Sequence, residues 1–337
     1  MTPPTKRGVD FPADAPVGLG WLSITFRAWS ETQRGPLLRT VLEAIGEDDP
    51  RSRHAGIKGY ADSLDVLDAS AVGWTDDRPR ELHLTLKQRD CSWSRFAALM
   101  DVADAAESWK VARLDLNYDD RARHATPADV SDAMVAGDVV TRCDREHFDG
   151  RTVGGQLLSV YVGKLQSDRC LNVYDKDAEQ AQVLRQPVAI GTHGVRWELR
   201  VKDERATTLA QTLRTLPDVD ELLQTFWHAV TSLVDFRARA GASRATHHNE
   251  DLVRLPWFSA LAGDAARQAS YLPRAPEAEH VRWWRLERWL KSQVVATLAE
   301  YVEQADDSVV ALQSLLEVGA DRLQLRRDRA ARTLAVA

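Results

Sequence analysis

Cysteine is scarce in this chain of 337 residues: there are three, Cys91, Cys143 and Cys170. The number is odd and none lies in a C-x-x-C pair, so neither a disulfide framework nor a zinc site is expected. That usage suits a reduced, cytosolic protein. Long apolar runs are missing too. No stretch reaches the roughly 18 residues that a membrane-spanning helix needs, so no membrane partner is expected. The N-terminus, MTPPTKRGVDFPADAPVG, has no apolar core and does not read as a secretory signal. It reads as a flexible polar tail over residues 1–17. An excess of positive charge is also absent, since the formal net charge is -6. A general nucleic-acid binder is usually basic. Any such contact must therefore come from a local basic stripe, which a negative total does not exclude.

What the chain does have is alternation and tryptophan, 11 of the latter. In WLSITF, Trp21, Ser23 and Thr25 alternate with Leu22, Ile24 and Phe26, as in a strand. Residues 81–88, ELHLTLKQ, put Leu82, Leu84 and Leu86 on one side. KVARLDLNYDD and VRWELRVK repeat the pattern, and QLLSVYVG and CLNVY read as paired strands around KLQSDR. Helices are expected over 33–46, with proline near the start and glycine at the end, over SWSRFAALMDVADAA, and after the cap Thr126-Pro127. KDAEQAQVLR also reads as a helix. From about residue 205 the pattern turns helical, with ERATTLAQTLRTL, VDELLQTFWHAVTSLVDFRARAG and two further segments. The expected fold is α+β. An antiparallel-rich sheet with helices on one face spans 18–205, and a mainly helical region follows over 206–337.

Three strands each carry one polar face. ARLDLNYDD gathers Arg113, Asp115, Asn117 and Asp119. VRWELRVK gathers Arg196, Glu198, Arg200 and Lys202, and CLNVYDK gathers Asn172, Tyr174 and Lys176. Carboxylates suit Mg²⁺ or Mn²⁺, arginine and lysine suit phosphate, and tyrosine is a possible nucleophile. Those are the parts of a phosphodiester transesterification site. The plainer alternative is a solvent-facing antiparallel sheet with exposed ion pairs of little energetic weight. A tyrosine at a strand end is, by the same token, often a packing residue.

These segments, in this order, resemble the replication initiation factor family, the initiators of a large class of rolling-circle plasmids with relatives in phages and conjugative elements. The matching stretches are WLSITF, HLTLKQRDC, ARLDLNYDD, YVGKLQSDRCLNVYDKDAEQ and VRWELRVKDERA. DFRAR, LPWFSALAG and WRLERWLKSQVVATLAEY match more loosely. The combination of G-K-L-Q-S-D, V-Y-D-K and W-E-L-R is the most specific part. The resemblance implies nicking and joining of one strand of origin DNA by Tyr174, leaving a 5′-phosphotyrosine and a free 3′-hydroxyl. It implies Mg²⁺ or Mn²⁺ held by Asp115 and Glu198, with Asp119 ranked below them. Lys176 and Arg196 are expected to stabilise charge. A superfamily-one helicase and a homodimer are the implied partners, and no nucleotide cofactor is needed.

The chain departs from the family at two places. Asn172 stands where an arginine is usual two residues before the tyrosine, and Gly20 stands where an aspartate often precedes the tryptophan. No H-x-H metal motif of other initiators occurs; His247 and His248 lie in a polar connector and are expected to face solvent. Arg282, Arg285, Arg288 and Lys291, interleaved with Trp283, Trp284 and Trp289, suit either DNA backbone contact or an amphipathic helix. The arginines between 322 and 332 leave the same choice open. A conjugative relaxase and a non-catalytic DNA-binding regulator are the alternatives to a replication initiator.

Overall fold

The computed structural model describes residues 11–12, 15–53, 55–141, 148–153, 156–238, 252–263 and 295–304, with 307–310, 313–314 and 317. Ten strands form one sheet: β1 (Val17–Arg27), β2 (Arg51–Arg53), β3 (Asp62–Val66), β4 (Ser70–Trp74), β5 (Glu81–Lys87), β6 (Ser108–Asp120), β8 (Phe148–Val153), β9 (Gln156–Val162), β10 (Arg169–Asp175) and β11 (Val195–Lys202). β7 (Val139–Thr141) and β12 (Val234–Phe236) pair separately. The order across the large sheet is β2-β3-β4-β5-β1-β6-β11-β10-β9-β8. Every neighbouring pair is antiparallel.

The alternation sets the layers. Leu22, Ile24 and Phe26 of β1, Leu82, Leu84 and Leu86 of β5, Leu114 and Leu116 of β6, and Val195, Trp197, Leu199 and Val201 of β11 are all buried. They face α1 (Arg34–Ile45), α2 (Trp93–Ala105), α5 (Asp203–Leu213), α6 (Val219–Thr231) and α7 (Pro256–Ala262), whose apolar residues join the same core. Part of the tryptophan content is accounted for here. Trp197, Trp227 and Trp257 pack with Phe226, Phe236 and Phe258 at centroid separations of 5.0 to 6.4 Å. Rings of this size in edge and tilted contact contribute both area and geometry to a core.

Three expectations change. First, the sheet does not close a domain at 205. The chain divides into compact units Met1–Ala275 and Pro276–Ala337, and α5 to α7 pack inside the first. Second, the helix expected over 219–241 stops at Thr231. Thr231 Oγ1 donates back to Trp227 O (2.9 Å) and Ser232 Oγ to Ala229 O (2.8 Å). Such back-bonding competes with helix propagation, and Val234–Phe236 then pairs with β7. Asp235 and Arg237 of the DFRAR stretch join an ion-pair knot, with Arg237 and Arg254 both on buried Asp235. Third, the N-terminal segment is not all loose tail. Phe11 is 4% exposed and meets Trp93 edge-on at 5.0 Å.

In the second unit the structure describes α8 (Val295–Glu303), inside one expected helix. The basic and tryptophan-rich segment 282–291, the arginines beyond 320, Cys143 and His247-His248 lie outside the described residues. Cys91 and Cys170 are buried. Among the described residues no helix is long and apolar enough to cross a membrane.

Candidate active site

Tyr174 is the last residue of β10 to face the polar side of the sheet. The next residue, Asp175, ends the strand by capping α4 (Lys176–Leu184), its carboxylate accepting from Ala178 N at 2.9 Å. Arg123 holds the same carboxylate at 2.6 Å and reaches Asp177 at 3.2 Å. The N-cap thus fixes where the chain leaves the sheet, and it puts Lys176 on the first turn of the helix. Lys176 N also donates to Gly194 O at 3.0 Å. Gly194 has φ +75, and a Cβ there would lie 2.1 Å from Asp120 O. Only glycine lets the start of β11 approach β6 this closely.

Register then assembles the site. Tyr174 pairs with Arg196 and Asn172 with Glu198 across β10 and β11. Arg196 pairs with Asp119, Glu198 with Asn117 and Arg200 with Asp115 across β11 and β6. Asp115 pairs with Trp21 of β1. A cavity of about 1090 Å³ lies over these strands. Tyr174, Lys176, Arg196, Asp115 and Glu198 line it, as do Arg113, Trp21, Lys87 and Glu179.

Asp119, ranked lowest among the expected metal ligands, is committed elsewhere. Arg196 grips both of its oxygens, at 2.5 and 2.7 Å. Two parallel charge-assisted bonds leave little capacity for a metal. Arg196 is correspondingly a partnered cation: burial works against its charge, but the Asp119 pair more than offsets this and raises its pKa. Its charge also favours the ionised form of Tyr174, its partner across β10 and β11.

Asp115 is 2% exposed. Arg113 holds it through Nε, at 2.9 and 3.1 Å, and through Nη2. Arg200 makes a looser ion pair at 3.5 Å. Among the described residues Glu198 has Arg200 alone as an ion-pair partner, at 3.7 Å. Its pKa is raised, first by burial and then by the Asp115 charge. The Tyr174 hydroxyl is raised as well, by burial and then by Glu198, with Arg196 acting in the opposite direction. Tyr174 is therefore a protonated phenol at neutral pH. Lys176 Nζ stands 5.6 Å from its ring centroid and pairs with Glu179.

Of the three acids Glu198 is the one no arginine grips through both oxygens, so a divalent ion fits it best; Asp115 would share its oxygens with Arg113, as Asp119 would with Arg196. Asn172 Oδ1 is buried without a hydrogen-bond partner at the β10 position paired with Glu198. It adds an unsatisfied hard oxygen to the donor set. Two carboxylates with further oxygens match what Mg²⁺ or Mn²⁺ takes from proteins. No group of three or more His, Cys, Asp or Glu suited to a metal occurs among the described residues.

Arg113 and Arg200 share the polar strand faces, but alternation alone did not single them out as the holders of Asp115. Lys87 and Trp21 enter the site from strands whose role depends on tertiary pairing. Gly20 sits at a register break in β1, and a Cβ there would meet Asn117 Nδ2 at 3.2 Å and Asp115 Cβ at 3.8 Å. A side chain at this position would therefore enter the site.

Residues 109–315 match the family described as replication initiation factor, Rep_trans. The chain is 23% identical over 286 residues to a Bacillus subtilis (strain 168) protein named "Putative DNA relaxase NicK", an alignment covering 78% of this chain and 75% of that one. Its fold is similar to that of a rolling circle replication initiator protein from Geobacillus stearothermophilus. The TM-score is 0.59 at 17% identity, over 77% of this chain and 98% of that chain. The family match takes in more than half of the sequence, including Asp115, Asp119, Tyr174, Lys176, Arg196 and Glu198. The chain belongs to the replication initiation factor family.

Proposed function

We propose that this protein nicks and rejoins one strand of origin DNA to initiate rolling-circle replication, with Tyr174 as the nucleophile. The observation that carries this reading is the Tyr174 hydroxyl itself, at a strand end on a large cavity, between Arg196 and Glu198. In the reaction the Tyr174 oxygen forms a bond to phosphorus as the bond to the 3′-oxygen breaks. The phenol loses its proton and the departing 3′-oxygen gains one. The phosphotyrosine conserves the phosphodiester energy, so rejoining is the reverse reaction and needs no nucleotide cofactor.

The residues divide the work. Arg196, oriented by its two bonds to Asp119, stabilises the phenolate as it forms. Lys176 adds positive charge beside the same ring. Arg113 and Arg200 hold Asp115 in place beside Glu198. Asp115 and Glu198 would hold Mg²⁺ or Mn²⁺, with Asn172 as a further oxygen donor. Such an ion, when bound, supplies charge stabilisation for the phosphate oxygens. The target must be locally single-stranded to reach the cavity, as in an extruded hairpin or a supercoiled origin. A superfamily-one helicase to unwind behind the nick and a homodimer at the origin complete the proposed assembly. Cytoplasmic DNA is the setting in which this chemistry would operate.

The test is cleavage of supercoiled plasmid carrying origin DNA from the protein's own locus, with Mg²⁺ or Mn²⁺, followed by protease digestion. Nicked circles bearing protein on the 5′ end are expected. Tyr174→Phe should reduce the rate roughly 10⁴-fold or more, as loss of a nucleophile does, while leaving binding intact. A Tyr174→Phe protein that still forms the adduct would refute the assignment. A conjugative relaxase would perform the same chemistry at a transfer origin, and substituting that DNA in the assay distinguishes the two. The arginine pairs already neutralising Asp115 and Asp119 favour one other reading, a DNA-binding regulator without cleavage. It predicts metal-independent specific binding and intact plasmid.

A further inference from the structure

Beside the candidate active site lies a second group of cations that the chemistry above does not use. Trp21 of β1 is their platform. Arg113 Cζ stands 4.1 Å from a Trp21 ring centroid, Lys87 Nζ 5.0 Å and Lys58 Nζ 5.4 Å. The ring is itself fixed, because Trp21 Nε1 donates to Ser23 Oγ at 2.8 Å. Lys58 Nζ donates to the same oxygen at 2.6 Å. Lys58 belongs to the turn at 57–60, is exposed, and has a left-handed backbone (φ 46) that aims it back over the sheet.

Of these three cations only Arg113 has a carboxylate partner, Asp115. Neither Lys58 nor Lys87 is within ion-pair distance of an acid among the described residues. Like charges brought together on one ring repel unless an anion joins them. The lowered pKa of Lys58, about 8, has that cause in part. Burial of the ammonium end against Ser23 and Trp21 acts first, the Arg113 and Lys87 charges follow, and the Asp115 charge opposes them. Cation–π contact holds the ammonium groups in position but does not neutralise them.

We infer that Lys58 and Lys87, ordered on Trp21, form a seat for a backbone phosphate of the DNA strand a few nucleotides from the bond that Tyr174 attacks. This rests on the DNA-nicking reading. Register carries Trp21 across to Asp115, Arg200 and then Cys170, four residues before Tyr174, so at about 4.8 Å per strand and about 3.3 Å per residue the seat is about 20 Å from the nucleophile. Trp21 and Lys87 line the same cavity as Tyr174, so one strand can cross β1, β6, β11 and β10 without leaving it. The seat fixes the path of the strand and thereby which phosphate meets Tyr174. It precedes the segment matched to the family, apart from Arg113. Lys58 and Lys87 act on position and affinity, not on the reacting atoms.

The experiment uses the full chain carrying Tyr174→Phe, so that binding is read without cleavage. A fluorescein-labelled single-stranded thymidine oligonucleotide is titrated at several salt concentrations. Each phosphate contact to single-stranded DNA contributes about 0.7 to the slope of log K against log salt. Lys58→Gln and Lys87→Gln should each weaken binding and flatten the slope by up to about that amount. Lys58→Arg should restore both, since charge and not shape is at stake. The two lysines sit on different elements, so a folding defect in one variant does not decide the result. In the nicking-competent protein, a neutral methylphosphonate placed at successive positions beside the nick should slow cleavage at one position. That penalty should vanish in Lys87→Gln. Unchanged affinity and slope in both glutamine variants, with wild-type protein that still nicks, would overturn the seat and leave the nicking reading standing. Wild-type protein that neither nicks nor binds would overturn both.

Discussion

The polar face of the sheet has two halves that the same alternation produced and the tertiary structure treated in opposite ways. Under the turn at 56–60 the polar residues of β1 and β5 are Ser23, Thr25, His83 and Thr85, and all are at most 5% exposed; Trp21 and Lys87, further along the same strands, belong to the open half. The four bond mainly to one another. Ser23 Oγ and Thr85 Oγ1 lie 3.1 Å apart, Thr25 Oγ1 and His83 Nδ1 2.9 Å. The turn at 56–60 covers them, with Tyr60 stacked on His83 at 5.2 Å. Ile57 sits so close to Gly73 that a Cβ there would be 2.6 Å from its side chain. Over β6, β11 and β10 most of the polar residues are charged, and a large cavity stands above them. Neutral hydroxyls can satisfy one another when water is removed. Carboxylates and guanidinium groups resist burial unless paired, as Asp115 is with Arg113, and the half that carries them stays open to the cavity. Openness and charge together make that half the place for chemistry.

The largest expected effect tests the open half through pH. Because burial and Glu198 raise the Tyr174 pKa, the cleavage rate should climb about tenfold per pH unit through neutrality, without levelling below the ordinary tyrosine value near 10. A plateau near pH 7 would mean that another group sets the rate.

The closed half gives the next effect. Burial, and then Lys58, lower the His83 pKa to about 4. His83 is thus held neutral in the fold, while an unfolded histidine titrates near 6.5. Its contribution is fully present above about pH 6.5 and is lost as pH falls from there through 4. The loss should approach about 3 kcal/mol. Urea unfolding at pH 7 and pH 4 measures it, and His83→Gln should show a smaller difference between the two.

Asp119→Asn breaks the two-bond pair with half-buried Arg196. We expect destabilisation of about 2 kcal/mol together with slower nicking, because Arg196 then loses its orientation. Full activity in this variant would remove Arg196 from the mechanism.

The smallest effect sharpens the boundary between the halves. Gly20→Asp would place a carboxylate beside Asp115 and Asn117, with Asn117 giving way by a few tenths of an ångström. Calorimetric Mn²⁺ titration should show tighter binding, by about tenfold or less. Weaker binding would mean that the added charge repels Asp115 without reaching the ion.

Much of this was legible in local pattern. Strand alternation assigned Leu114 and Leu116 to the core and Asp115 and Asp119 to the other face, because side-chain direction has period two. Thr126 reads directly as a helix cap, and its capping box with Asp129 is present. The end of the 219–241 helix did not read through, because apolar periodicity continues past Thr231 and the β7 partner is 92 residues away. Lys58 carried no signal at all. It sits in a short turn and acquires its position when β3 and β4 fold that turn over β1.

The residue types, their faces and the N-cap that ends β10 after Tyr174 were thus determined by the sequence alone, since each depends on neighbours within a turn or a strand. Which acid stayed available was decided by the tertiary structure. Pairing β11 between β6 and β10 gives Asp119 to Arg196 and leaves Glu198 beside Asp115. Register depends on burying apolar faces that are far apart in the chain, and no local pattern encodes it.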